Sequence, residues 1–247
     1  MPSSSGSPKH PPSVALGLLL YAGYLAIFFT TWAINGVDYL RIGEDVKSTR
    51  LWYALPTLFG GAFLVVALTW LGWWRQVLFE PERSGPAWVW LLPLVVAGII
   101  VHNFMGLHTD RLTAELLLWS TLGAISVGFG EEMITRGSMV VGLRCRFAEV
   151  QVWLFSTLLF SALHVPNVLF GLPLWQMPIQ VVLTFIFGSG LILPMVLHGL
   201  WDSALFLGAA TGATPSLWQY AAYPLAMASV AAVLLQCRKP ARAAARS

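Results

Sequence analysis

Six ionisable residues in three apolar stretches have the side-chain types that proton transfer requires. They are Glu131, Glu132, Arg136, His164, His198 and Asp202. Carboxylates and imidazoles are the usual general acids and bases in proteins. Inside apolar stretches of membrane-spanning length such groups are energetically unfavourable, and they usually face the interior of a helix bundle or a water-filled cavity. Their placement therefore indicates a functional site without specifying its chemistry.

The spacing of the first group separates its two carboxylates. Glu132 and Arg136 are four residues apart, so on a helix they share a face and can pair as a structural brace. Glu131 lies about 100° further around such a helix and is less well placed to share the guanidinium. An incompletely paired carboxylate suits a general base acting on water. The alternative, a charged helix end in the headgroup region with no chemistry, fits this stretch equally well.

The two histidines also have structural alternatives. His164 follows Phe160 by one helical turn, so the phenyl ring could pack on the imidazole and exclude water, although a capping histidine would have the same spacing. His198 and Asp202 are four apart, and Asp202 could bond one ring nitrogen and fix the tautomer of His198. A buried pair that only packs is the alternative there. Three such placements on three separate spans predict one converging site, as a membrane-embedded hydrolase needs.

Metal assistance is a second chemical option for this site. Glu131, His164 and His198 are ligand types that zinc prefers, so a zinc ion held by these three residues stays open. The chain contains no His-Glu-x-x-His stretch, which excludes the zinc motif of soluble metalloproteases.

Composition supplies the environment in which these residues must work. Of the 247 residues, 57% are hydrophobic and only 10% are charged, whereas about a quarter of a soluble domain is charged. The mean hydropathy of +0.72 indicates a polytopic membrane protein, an all-α bundle of transmembrane helices. No basic stripe or basic–aromatic alternation is present, which argues against nucleic-acid binding.

Eight apolar segments are predicted to cross the membrane as a single helical bundle over residues 14–237. They are residues 14–34, 51–74, 87–105, 112–135, 150–164, 174–187, 191–207 and 217–235. Residues 1–13 form a Ser- and Pro-rich tail that we expect to be disordered. Residues 35–50 and 136–149 are expected to be polar loops, and residues 238–247 a basic cytoplasmic tail.

The distribution of basic residues predicts the orientation of this bundle. With eight spans and both termini inside the cell, ten of the fourteen Lys and Arg residues fall on the cytoplasmic side and four outside. This agrees with the excess of positive charge on cytoplasmic loops of membrane proteins. We therefore expect a multi-pass protein of the cell inner (plasma) membrane with cytoplasmic termini.

The three motifs together resemble those of the CPBP intramembrane proteases, which comprise CAAX proteases and bacteriocin-processing enzymes and are also called the Abi family. The family pattern is Glu-Glu-x-x-x-Arg, then Phe-x-x-x-His, then His-x-x-x-Asn or a similar residue. It corresponds here to Glu131 through Arg136, to Phe160 through His164, and to His198 through Asp202. The resemblance covers residues 112–207, which would form the catalytic core. Within the family, the chain is similar to the type II CAAX prenyl endopeptidases.

The resemblance implies a bundle with a cavity open towards the membrane and cytosol, and peptide-bond hydrolysis by a Glu-activated water or with metal assistance. By resemblance Glu131 is the base, assisted by His164, while His198 and the last motif residue bind the developing oxyanion. That last residue is Asp202 where Asn is frequent in the family. An ionised Asp cannot donate a hydrogen bond to an oxyanion, so Asp202 must be protonated, orient His198 or bind a metal.

Two hypotheses follow for the function. The first is an intramembrane endopeptidase that cuts a membrane-associated protein or peptide near the cytosolic face, with the lipid bilayer as its surroundings. The second is a non-catalytic scaffold, or a bacteriocin-immunity-type binding protein, of the same fold. In the second case Glu132, Arg136 and the other polar residues only hold the helices together.

Overall fold

The regular elements of the structure are helical. This computed structural model describes residues 8–79, 90–176, 191–214 and 216–221, with Pro224, Leu225, Met227, Ala228 and Ala231, and contains no strand within these residues. The helices are α1 (Val14–Asn35), α2 (Val46–Leu71), α3 (Trp74–Leu78), α4 (Leu91–Met105), α5 (Ala114–Glu132), α6 (Met139–Arg144), α7 (Glu149–Leu163) and α8 (Ile192–Thr211). The prediction of an all-α chain is confirmed.

Four helical segments in the described part of the chain are long and apolar enough to cross a membrane. They are Val14–Asn35, Val46–Leu71, Glu149–Phe170 and Ile192–Thr211. The shorter α4 is also apolar. Helix α5 falls outside this group because its Gly, Ser and Glu residues lower its hydropathy. The predicted count of eight spans is therefore not confirmed. Residues 177–187 and nine residues of the segment 217–235 lie outside the described residues, as do residues 80–89, 1–7 and 238–247.

Two predicted loops are shorter than expected. Helix α2 begins at Val46, inside the predicted loop 35–50, because the Asp45 side chain accepts from the Ser48 backbone N–H and the Ser48 side chain caps Asp45 in return. The predicted loop 136–149 was mostly wrong. A π-helical turn over Met133–Ser138 continues α5 into α6. Polar residues do not end this helix, because the carboxylate and guanidinium within it neutralise each other.

Helices α5 and α8 form the centre of the bundle and cross in backbone contact. A Cβ added at Gly128 would overlap the carbonyl oxygen of Met195, and one added at Gly199 would overlap that of Ala124. Only glycine permits this approach. Further along the same crossing, the buried hydroxyls of Ser120 on α5 and Ser203 on α8 are 3.0 Å apart. The close crossing brings the middle of α8 against the end of α5.

Helices α1 and α2 supply the remaining wall around this centre. The hydroxyls of Thr57 and Ser126 are 2.7 Å apart and join α2 to α5. The Tyr21 hydroxyl donates to the Leu159 carbonyl at 2.7 Å and joins α1 to α7. The indole N–H of Trp32 donates to the Trp52 carbonyl at 2.7 Å. These bonds fix the aromatic residues of α1 and α2 beside the ends of α5 and α7.

Candidate active site

The three predicted motifs lie on elements that converge. Glu131 stands in the last turn of α5, His164 directly follows α7, and His198 lies in the middle of α8. Oε2 of Glu131 is 3.7 Å from Nε2 of His164 and 3.8 Å from Nε2 of His198. The structure thus places the predicted base between the two predicted histidines.

Glu132 forms the brace of the site. Its side chain is fully buried, one oxygen accepts from Nη1 of Arg136, and the other is 3.0 Å from Nδ1 of His198. The expected pairing with Arg136 is present. A carboxylate that already holds a guanidinium accepts here, so Nδ1 of His198 donates. The two neighbouring glutamates therefore have different surroundings, as their spacing suggested. Both oxygens of Glu132 are already occupied, one by Arg136 and the other by His198.

Asp202 does not orient His198, contrary to one of the expectations above. Oδ2 of Asp202 is 3.8 Å from Nε2 of His198, which is too long for a hydrogen bond. The close crossing of α5 and α8 lets Glu132 reach Nδ1 of His198 instead. Asp202 remains in the site as a partly exposed carboxyl group, with its side chain 23% exposed.

Phe160 packs against three of the polar groups. Its ring centroid is 5.4 Å from that of His164 and 5.7 Å from that of His198. The guanidinium carbon of Arg136 lies 4.5 Å from the same centroid, within the range of a cation–π contact. Phe160 is 2% exposed. The expected packing of this ring on His164 is observed, and the ring also shields Arg136 and His198 from water.

The tautomer of His164 follows from its backbone partner. Nδ1 of His164 is 3.1 Å from the carbonyl oxygen of Phe160, and a carbonyl oxygen only accepts. Nδ1 therefore carries the proton. In the neutral ring Nε2 then presents a lone pair, and this atom faces Glu131.

Oε2 of Glu131 is the exceptional atom of the site. It is buried and has no hydrogen-bond partner among the residues that the structure describes, while the whole residue is only 5% exposed. A buried carboxylate oxygen without a partner is energetically unfavourable. Such an arrangement is typical of a group that is held ready for a ligand or a reacting atom.

Glu131 lines a cavity of about 230 Å³. The polar part of its wall is formed by Glu131, His164, Asn167, His198 and Asp202. The aromatic part is formed by Phe28, Trp32, Tyr39, Trp52, Tyr53, Phe160, Trp201 and Phe206. An apolar cleft with a few convergent polar groups is the usual form of a small-ligand or substrate site.

The sequence did not mark the wall residues from α1 and α2. Trp32, Trp52 and Tyr53 carry no motif, and aromatic residues near the ends of membrane helices are more often interfacial anchors. Asn167, which is 5% exposed, follows His164 by three residues and was missed as well. Its position so soon after a candidate histidine was the one available signal.

The zinc alternative is tested by the arrangement of donors. Across the described ranges, no group of three His, Cys, Asp or Glu side chains is arranged to hold a metal ion. A zinc site formed by Glu131, His164 and His198 is therefore not confirmed. The chemistry of the site is accordingly derived from the side chains alone.

A comparison with protein families agrees with the motifs. Residues 113–204 match the model of the family described as Type II CAAX prenyl endopeptidase Rce1-like. This range begins at the N-cap of α5, ends within α8 and includes every residue of the three motifs. No curated protein and no solved structure matches the chain. The match and the apolar helices indicate a multi-pass membrane protein with protease activity of the CAAX type. The match over residues 113–204 thus supports the resemblance of this segment to the CPBP/CAAX protease family.

Proposed function

We propose that this protein is an intramembrane endopeptidase in which Glu131 activates the water that hydrolyses a peptide bond. The observation that carries the proposal is the buried oxygen Oε2 of Glu131, which has no hydrogen-bond partner in the described structure and lies within 3.8 Å of two imidazoles. The family match supports a protease. We further propose that both termini are cytoplasmic and that cleavage takes place near the cytosolic face.

The geometry supports a separate role for each of Glu131, His164 and His198. A water molecule at Oε2 of Glu131 would donate one hydrogen to this oxygen and the other to the lone pair on Nε2 of His164. As the water oxygen bonds to the carbonyl carbon, its proton passes to Glu131. When the tetrahedral intermediate collapses, the carbon–nitrogen bond breaks and Glu131 returns the proton to the leaving amine. His198, held through Nδ1 by Glu132, presents an N–H from Nε2 in its doubly protonated form.

The walls of the cavity support a substrate with a large apolar part. Aromatic side chains from α1, α2 and α8 line the space next to Glu131, and these bury apolar groups favourably. The description of the matching family names prenyl endopeptidases of CAAX type. We therefore propose a prenylated, membrane-associated protein or peptide as the substrate, with its apolar chain against the aromatic wall and its scissile bond beside Glu131.

Cleavage of a defined peptide tests the proposal. The full-length protein in detergent is incubated with an internally quenched peptide that ends in farnesylated Cys followed by two aliphatic residues and Met. We expect cleavage by the wild type and a loss of about 10³-fold in kcat/KM for Glu131→Gln, within the range for a general base. His164→Ala should lose about 10²-fold. Glu115→Gln is the matched control, because Glu115 lies on the same helix with its side chain 57% exposed.

Thermal unfolding of each variant shows whether a loss of activity reflects a loss of structure. If a folded Glu131→Gln variant cleaves as fast as the wild type, the assignment of Glu131 as the base is wrong. The scaffold hypothesis makes the opposite prediction, since a protein that only binds its partner should keep its biological effect in Glu131→Gln. It places the sensitivity at Glu132 and Arg136, whose pairing holds the helix.

A further inference from the structure

The Tyr53 hydroxyl is a second polar group without a partner at the cavity. Five buried side-chain atoms in the described part of the chain make no hydrogen bond, and they belong to Tyr24, Tyr53, Gln76, Glu131 and Ser138. Only Tyr53 and Glu131 among these five also line the cavity. Tyr53 is 4% exposed, so bulk water does not satisfy its hydroxyl.

Packing from two helices fixes the Tyr53 ring. A Cβ at Gly123 of α5 would overlap the ring edge, so the ring lies directly on the helix backbone. On its other side the ring centroid is 4.4 Å from that of Phe206 in α8. The ring is therefore held in one place, between the middle of α5 and the second half of α8.

The two unpartnered groups have complementary capacities. A carboxylate oxygen accepts, whereas the phenolic hydroxyl of tyrosine can donate. Leaving a buried hydroxyl without a bond is energetically unfavourable, and this loss is regained when a ligand oxygen accepts from it. Asp202, on the same cavity wall, cannot donate when ionised. Tyr53 therefore supplies a hydrogen-bond donor at the cavity, where an ionised Asp202 supplies none.

We infer that the Tyr53 hydroxyl donates a hydrogen bond to the carbonyl oxygen of the scissile peptide and stabilises it as negative charge develops. This inference rests on the proposed hydrolysis and deepens it. Tyr53 would act as a fixed donor aimed at the developing oxyanion, together with the Nε2 side of His198. Preorganised donors of this kind contribute most to the transition state, so their loss should lower kcat more than it changes KM.

The test compares two substitutions that each delete one buried hydroxyl. Tyr53→Phe keeps the ring that packs between Gly123 and Phe206. Tyr24→Phe is the matched control, because the Tyr24 hydroxyl is also buried and without a partner but does not line the cavity. With the farnesylated quenched peptide we expect Tyr53→Phe to lower kcat about 10²-fold and to change KM less than about threefold. Tyr24→Phe should stay within about twofold of the wild type, and both variants should unfold at or above the wild-type temperature, because each deletes a buried hydroxyl without a partner.

A binding measurement separates this inference from the proposed hydrolysis. The probe is the same farnesylated peptide with a tetrahedral phosphonate in place of the scissile amide, and Tyr53→Phe should weaken its binding at least about tenfold. If the wild type cleaves and Tyr53→Phe matches it in kcat, Tyr53 is not the donor, while the proposed hydrolysis stands. If the phosphonate binds and Tyr53→Phe weakens it without any cleavage by the wild type, Tyr53 donates to a bound ligand only, and the proposed hydrolysis is overturned together with the role of Tyr53 in it. If the wild type neither cleaves nor binds the probe, both proposals fail.

Discussion

The substitution Gly128→Ala tests whether the backbone contact between α5 and α8 positions the site. A Cβ at Gly128 would overlap the Met195 carbonyl oxygen, and real Cβ atoms essentially never approach another heavy atom within 3.0 Å. The obstructing atom belongs to the backbone, so no side chain can rotate away. The two helices must therefore separate by on the order of 1 Å, as overpacked cores do.

The consequences can be worked out from the contacts that cross this gap. The bond between Nδ1 of His198 and Oε1 of Glu132 is 3.0 Å long, and a shift on the order of 1 Å stretches it beyond hydrogen-bond range. Loss of a hydrogen bond to a charged group costs about 1.5–3 kcal/mol, and overpacking adds about 1–3 kcal/mol. We expect Gly128→Ala to lower stability by about 2.5–6 kcal/mol.

Activity should respond more strongly than stability. A misplacement of about 1 Å at a catalytic group can lower the rate about 10²-fold, and here His198 would move relative to Glu131. The assay combines thermal unfolding in detergent with cleavage of the farnesylated quenched peptide. Gly208→Ala is the matched control, because Gly208 lies on α8 with nothing within 4 Å of an added Cβ. Alanine there should stabilise the helix by about 0.5–1 kcal/mol.

Equal behaviour of the two variants would refute this reasoning. If Gly128→Ala unfolds at the temperature of Gly208→Ala and cleaves at the wild-type rate, the crossing tolerates a methyl group and does not set the position of His198. Gly199→Ala provides an independent check, since its added Cβ would overlap the Ala124 carbonyl oxygen from the other helix. Gly128→Ala and Gly199→Ala are both expected to lower stability and cleavage activity.

Three further substitutions test separate parts of the structure. Arg136→Ala leaves the fully buried Glu132 without its guanidinium and should lower stability by about 3–5 kcal/mol, measured as a shift in thermal unfolding. Asp202→Asn supplies a side-chain N–H donor in place of a carboxyl group that donates only when protonated, without touching the bond that orients His198, so kcat of peptide cleavage should equal or exceed that of the wild type. Asp45→Ala removes the cap of α2 and should lower stability by about 1 kcal/mol. The Ser48 backbone N–H holds the pKa of the Asp45 carboxyl below its usual value, so this contribution is present above the unfolded pKa of about 3.9 and is lost as the pH falls through the lower folded pKa.

Each of these expectations has a contrary result. Wild-type stability of Arg136→Ala would mean that Glu132 is protonated or otherwise neutralised. A loss of activity greater than about 10²-fold in Asp202→Asn would show that the ionised carboxylate itself takes part in catalysis. A difference between Asp45→Ala and the wild type that grows as the pH falls below the unfolded pKa of about 3.9 would have the wrong sign for a depressed pKa.

Local spacing was sufficient to predict the parts of the site that lie within one helix. The separation of four residues between Glu132 and Arg136 predicted their pairing, and the same separation placed Phe160 against His164. These relations follow from the helical repeat alone. The convergence of three motifs was also inferred, because isolated charges in apolar spans require partners.

Contacts between helices could not be read in the same way. The spacing of His198 and Asp202 suggested a hydrogen bond, but Glu132 from another helix takes Nδ1 of His198. Whether it can do so depends on how closely α5 and α8 approach, which is set by Gly128 and Gly199 together. A pair of glycines 71 residues apart gives no periodic signal of such a contact. The aromatic residues of the cavity wall were missed because they come from different helices and share no sequence spacing.

The two unpartnered groups at the cavity share an unusual backbone setting. Tyr53 lies within the π-helical turn Thr49–Ala54 of α2, and Glu131 lies two residues before the π-helical turn Met133–Ser138 that follows α5. A π-helical turn contains more residues than an α-helical turn and so rotates the flanking side chains relative to one another, and such turns are frequent at functional sites. The π-helical turns on α2 and after α5 accompany a buried donor and a buried acceptor at one cavity, which is the arrangement that the proposed hydrolysis of a peptide carbonyl requires.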